Sequence, residues 1–323
     1  MRFVLRRAVH GLVLLLGTSL LSFLFLSLAP GDFVDEMRLN PQVSAETLAA
    51  VRVKYGLDQP LAKRYLHWLN CVRKGDLGFS FAYNVPVVSL LLPRARNTLL
   101  LTGTATLLAW LIAIPLGLWS ASSEGGWVDR LCLGATSALL AIPEILLALA
   151  LLLVAVRTGW FPAGGMVSLG FDELSGWRKF TDIIAHLFLP AVVLVLGSLP
   201  TLVRHVRASV LEVLSSPFIR AARARGIRRR SILFRYVLRA AANPLISLFG
   251  LSLAALLSGS LLVEVIMGWP GAGPLLVEAI LARDFYVVVG AVMFSALAAC
   301  LANLAADGLL YALDPRIRLE EIQ

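Results

Sequence analysis

Cysteine is scarce in this chain: Cys71, Cys132 and Cys300 are the only three. Two lie inside apolar runs and Cys71 stands alone in a polar stretch, so neither a disulfide framework nor a CxxC metal pair can be assembled. The four histidines, His10, His67, His186 and His205, show no HExxH or comparable spacing, so no metal site is expected. Lysine is nearly as rare. Lys54, Lys63, Lys74 and Lys179 are the full set, and none follows a glycine. The GxxxxGK[ST] phosphate loop is therefore absent, and the chain is not expected to bind ATP by that route or to hold a cofactor of its own. No nucleophile, base and orienting group are grouped in the way a membrane enzyme would need.

What the chain has in excess is apolar residues, 59% of its 323, with a mean hydropathy of +0.82. A soluble domain is closer to half apolar, and lipid is the natural solvent for the surplus. Crossing a bilayer takes about 20 apolar residues. Six runs approach that length, at 9–29, 99–119, 131–156, 187–203, 245–266 and 287–310. The first follows Arg2, Arg6 and Arg7 like a signal peptide. Its apolar core is too long for one and Ser27-Leu28-Ala29-Pro30 is a poor cleavage site, so it reads as a retained helix. The expectation is an all-α, six-span membrane protein.

Basic residues in short flanks orient such a chain. Segments 1–8, 120–130, 204–243 and 311–323 hold three, one, ten and two. The short opposite segments, 157–186 and 267–286, hold three and one. This favours both termini on the cytoplasmic side. The net charge of +9 is concentrated between two spans, where topology accounts for it and nucleic acid need not be invoked.

Residues 30–98 form a large outside segment before a core of 99–323. Ser44 is a plausible helix cap, with Leu48, Val51 and Tyr55 on one face and Gly56 as the stop. Pro60 suits the first turn of a second helix, where Leu61, Tyr65, Trp68, Leu69 and Val72 make an apolar stripe. Gly75-Asp76-Leu77-Gly78 reads as a turn. The segment is either a packed cap or a docking surface for an outside partner.

Between the fourth and fifth runs lies Pro217-Phe218-Ile219-Arg220-Ala221-Ala222-Arg223-Ala224-Arg225-Gly226-Ile227. Pro217 can open a helix, the alanines allow close approach, and Gly226 suits a left-handed stop. After it Ile232, Tyr236 and Arg239 recur at helical spacing, and Pro244 opens the next span. The pattern is helix, glycine break, helix: a defined knob, where a loop that only set topology would need arginines alone.

Ala221-Ala222, Gly226 and Pro244 match the spacing of the EAA loop of ABC importer permeases, although Arg220 stands where that motif has glutamate. Tyr55-Gly56-Leu57-Asp58-Gln59-Pro60-Leu61, Gly75-Asp76-Leu77-Gly78-Phe79-Ser80, Pro93 with Asn97-Thr98-Leu99, Trp269-Pro270-Gly271-Ala272-Gly273, Ala282-Arg283-Asp284-Phe285 and Leu313-Asp314-Pro315-Arg316-Ile317-Arg318 resemble, in order, segments of the dipeptide, oligopeptide and nickel branch. The resemblance implies a bacterial inner-membrane permease subunit whose loop, Phe218 to Ile227, couples to an ATPase. It implies a second related permease, two ATPases carrying ATP and Mg, and an extracytoplasmic solute-binding protein. Short peptides are the favoured cargo, nickel or a metal chelate the same-family alternative. An ATP-independent secondary transporter or channel is the alternative from a different class.

Ionisable groups inside spans usually face a cavity or a partner. Glu144 falls 14 residues into the third run, about 20 Å at 1.5 Å per residue and past the middle of a ~30 Å core. It either lines the path and meets a cationic ligand group, or pairs with another helix, or stays protonated. Asn303 and Asp307, one turn apart in the sixth run, read as interhelical glue. Glu264, at the outer end of the fifth, is expected near water.

Overall fold

A computed structural model describes residues 2–28, 46 and 59–313. The expected helix behind Ser44, with Leu48, Val51, Tyr55 and Gly56, lies outside the described residues, as does the C-terminal Asp314–Arg318 stretch. The helices in chain order are α1 (Arg2–Leu28), α2 (Leu61–Val72), α3 (Val87–Ser122), α4 (Trp127–Leu140), α5 (Glu144–Thr158), α6 (Gly176–Leu214), α7 (Pro217–Ala224), α8 (Ala242–Ile266), α9 (Ala272–Leu281) and α10 (Phe285–Leu313). A two-strand hairpin, β1 (Phe79–Ser80) with β2 (Val85–Pro86), precedes α3. Contacts divide the chain into two compact units, Met1–Thr98 with Pro270–Ala298, and Leu99–Trp269 with Ala299–Gln323.

The first unit is held by aromatic packing and by side-chain hydrogen bonds. Phe23 is fully buried and meets Tyr65 at 5.2 Å and Phe285 at 4.8 Å, both edge-on. Of the α2 stripe, Trp68 is buried and donates its indole N–H to the Leu77 carbonyl at 3.0 Å. In the turn after α2, the Asp76 carboxylate accepts from the Gly78 N–H at 2.8 Å. The hairpin escaped the sequence reading because two-residue strands are too short to alternate. It turns through Asn84, whose φ is 55°, a region asparagine tolerates better than most residues. Buried Asp284 anchors it, accepting from the Ser80 hydroxyl at 2.6 Å and the Ala82 N–H at 3.1 Å. Tyr83 donates to Glu278, and that bond helps push the phenol up to about 12.

The second unit contains the largest core, with Ala105, Ala109 and Ala113 of α3, Val193, Val203 and Val206 of α6, and Trp269 all buried. Small residues let helices approach. A side chain at Gly117 would meet Val206 at 2.6 Å, and one at Gly250 of α8 would meet Ala306 of α10 at 2.4 Å. Trp110 of α3 donates to Ser252 of α8 at 2.9 Å.

Five described helices have the length and apolarity to cross a membrane: α1, α3, α6, α8 and α10. The third apolar run departs from expectation. It is two helices, α4 and α5, bent by 91° at a short break. Pro143 explains the break, because it has no N–H to donate and its ring clashes with the carbonyl four residues back. It sits at φ −57°, ψ 136°, outside the helical region. The axial depth assigned to Glu144 along a straight helix is therefore corrected: Glu144 is the first residue of α5. The fourth run is longer than read. α6 has 39 residues, about 58 Å at 1.5 Å per residue, so residues 204–214 continue the helix instead of opening the loop. Glu264 is also corrected. It is fully buried, not wet, and Ser260 lies 3.4 Å away as a donor.

Candidate functional site

α7 is the expected short helix. Ser216 adopts an extended cap conformation and Pro217 occupies the first turn, where its missing N–H costs nothing. One face, Ile219 and Ala222, is buried in the core of the second unit. The other face exposes Phe218, Arg220, Ala221, Arg223, Ala224 and Arg225. The helix ends in a Schellman motif: the Ile227 N–H donates to the Ala222 carbonyl at 3.3 Å, and the Gly226 N–H to Arg223 at 2.9 Å. Gly226 has φ +73°, with open space where a Cβ would stand. Only the backbone conformation, not crowding within this chain, demands glycine there.

The following segment does not keep α-helical spacing. Residues Ile232–Val237 form a π-helical turn between Arg229–Ser231 and Leu238–Ala240. Its wider turn brings residues five apart to one face. Ile232 and Val237 are buried, while Tyr236 and Arg239 are exposed, which corrects the expected Ile232, Tyr236, Arg239 stripe. Pro244 lies within the first turn of α8. A cavity of about 880 Å³ opens between the α3–α4 turn and this segment, lined by Ser123, Gly126, Leu214, Arg223, Arg229 and Ile232 among others. Arg229 closes one side by donating to the Ser122 carbonyl.

At the α3–α4 turn is a cluster that the sequence reading missed. Asp129 of α4 is buried and receives both arms of the Arg207 guanidinium, at 2.7 and 2.8 Å. It also accepts from the Ser120 hydroxyl at 2.6 Å and the Gly125 N–H at 2.9 Å. Four donors thus tie α3, α4 and α6 together. The partners lie 78 positions apart, so no local motif announces them; the one available signal is a carboxylate in the first turn of an apolar helix.

Glu144 is half-buried against α6. A Cβ at Gly197 would stand 3.4 Å from its carboxyl. Seven residues further along α6, Arg204 donates to Ser137 of α4 at 2.7 Å. Asn303 is exposed on α10 and its Cα lies 3.6 Å from where a Gly250 Cβ would sit; Asp307, one turn on, is half-buried.

Residues 113–319 match the model for "Binding-protein-dependent transport system inner membrane component", and residues 1–102 match the corresponding N-terminal model. The chain belongs to this transport family. The oligopeptide transport system permease protein AppB of Bacillus subtilis is 37% identical over 317 residues, with 98% of each chain covered. The dipeptide transport system permease protein DppB of Escherichia coli is 36% identical over 98% of this chain and 99% of its own. The glutathione transport system permease protein GsiC of Salmonella typhimurium is 34% identical over the same shares. Among solved structures, an inward-facing form of the MetNI methionine ABC transporter matches with TM-score 0.58 and 20% identity, over 70% of this chain and 97% of that one. That likeness concerns the fold alone. The chain is thus an all-α, multi-pass membrane protein of a transport family.

Proposed function

We propose that this chain is a permease subunit of an ATP-driven importer of short peptides. The observation that carries the reading is that relatives named as oligopeptide and dipeptide permeases align over nearly the whole chain. In this reading a second, related permease stands beside it, two ATPases bind ATP and Mg, and an extracytoplasmic binding protein delivers the peptide. The membrane is the bacterial inner membrane, with both termini in the cytoplasm.

α7 is the coupling element. Its buried Ile219 and Ala222 fasten it to the permease, and its outward face is left for the ATPase. That face combines an exposed aromatic, Phe218, with Arg220, Arg223 and Arg225. Charge complementarity calls for a groove with an apolar slot and an acidic rim. With arginine at 220 the dock cannot use a carboxylate there. When the ATPases close, two such helices move together and the spans switch between inward- and outward-facing states. Asn303 and Asp307 serve as polar glue between helices.

The test is co-purification followed by reconstitution. Tagged chain should bring down a related permease, an ATPase and a binding protein, and the vesicles should take up short peptides only with ATP. Uptake of nickel and not of peptide would overturn the cargo. Uptake that survives ATP depletion with the ion gradient intact would overturn the ATP-driven reading.

A further inference from the structure

α6 carries an uncovered face within its second half. Gly197, Thr201, Arg204 and Ala208 are all exposed, at spacings of four, three and four that place them on one side of the helix. The neighbouring broken span reaches this face at two points. Glu144 lies against Gly197, and Ser137 accepts from Arg204. A carboxylate and a guanidinium therefore bracket one stretch of helix seven residues long, about 10 Å at 1.5 Å per residue. Between Gly197 and Arg204 the exposed residue is Thr201.

Three environments could cover this face. Lipid is disfavoured, since a carboxylate and a guanidinium gathered on one side of a spanning helix almost always face a cavity or a partner. A second permease would bury its centre, where interfaces are depleted of charge and rich in aromatic anchors, and this stripe has no apolar anchor on α6. The remaining occupant is water together with a solute that carries both charges. An extended chain spans at most about 3.3–3.6 Å per residue, so a peptide of about three residues matches the helix rise of about 10 Å from Gly197 to Arg204.

We propose that this face binds a short zwitterionic peptide in transit, with Glu144 meeting its ammonium terminus and Arg204 its carboxylate terminus. The inference rests on the peptide-import reading above. Gly197 marks where the Glu144 carboxyl meets α6, 3.4 Å from where a Cβ would stand. Thr201, midway, faces the peptide backbone. The break before Glu144 also matters, because at the 91° bend this carboxylate becomes the first residue of α5.

The experiment uses the complete transporter in proteoliposomes. In this chain Cys71, Cys132 and Cys300 are replaced by serine and Thr201→Cys is introduced. Labelling by a membrane-impermeant methanethiosulfonate reagent is then followed with and without tri-alanine. The expected result is labelling from water that tri-alanine suppresses. Glu144→Gln and Arg204→Gln, each added separately, should raise the half-protecting concentration about 10-fold, the loss of one charged hydrogen bond. Tri-alanine uptake by the unmodified complex is measured in parallel. Uptake without labelling, or labelling that tri-alanine or the two variants leave unchanged, would overturn the inference while the peptide reading stands. No uptake of any short peptide would overturn that reading, and this inference with it.

Discussion

Asp129 and Glu144 belong to the same broken span, and they are treated in opposite ways. Asp129 is buried and collects four donors, two of them from one arginine. Glu144 is half-buried, its carboxyl against a glycine. A bidentate guanidinium in a fixed fork is a structural fastening, because removing one partner strands the other charge. A carboxylate set against bare backbone keeps acceptor capacity for a ligand. The difference separates a part of the unit that must not move from a part that works by being accessible.

The comparison can be broken or sharpened by substitution. The largest effect is expected at the fastening. Asp129→Asn should cost about 3 kcal/mol, since Arg207 loses its countercharge; unfolding of the detergent-solubilised protein measures it, and a loss under 1 kcal/mol would mean the cluster is not structural. Next is the seat of α7. Ile219 is fully buried, so Ile219→Ala should cost about 2–3 kcal/mol, read by the same unfolding and by faster proteolysis at the arginines that follow. Smaller still is Gly226→Val, at about 1–2 kcal/mol of backbone strain, with Gly226→Asn milder because asparagine tolerates that region. If valine abolishes uptake while asparagine keeps it, the demand is the helix stop. If both abolish it, the groove of the partner excludes any side chain. The smallest stability change belongs to Glu144→Gln, within about 0.5 kcal/mol. A loss there as large as at Asp129 would erase the contrast.

What was legible in the sequence was local. Pro217 and Gly226 bound α7 through their own backbone restrictions, and the α2 stripe from Leu61 to Val72 was visible as periodicity. The break at Pro143 was half legible: the proline is plain, but a proline within a span can be accommodated by its neighbours, and only packing turned it into a 91° bend. The length of α6 was hidden because hydropathy falls at Arg204 while helix formation does not depend on it. The Asp129–Arg207 pair was invisible, since nothing links residues so far apart before the chain folds. The π-helical turn misled the reading of Tyr236 and Arg239 for a related reason, as one added residue per turn moves a whole face.

The central claim is that α7 couples this chain to an ATPase through its outward face. Its most direct test is co-purification of the ATPase with chain carrying Phe218→Asp and Arg223→Glu, both at exposed positions. The account predicts a folded, membrane-inserted permease that no longer retains the ATPase and takes up no peptide. Full retention of the ATPase with undiminished ATP-driven uptake would contradict it.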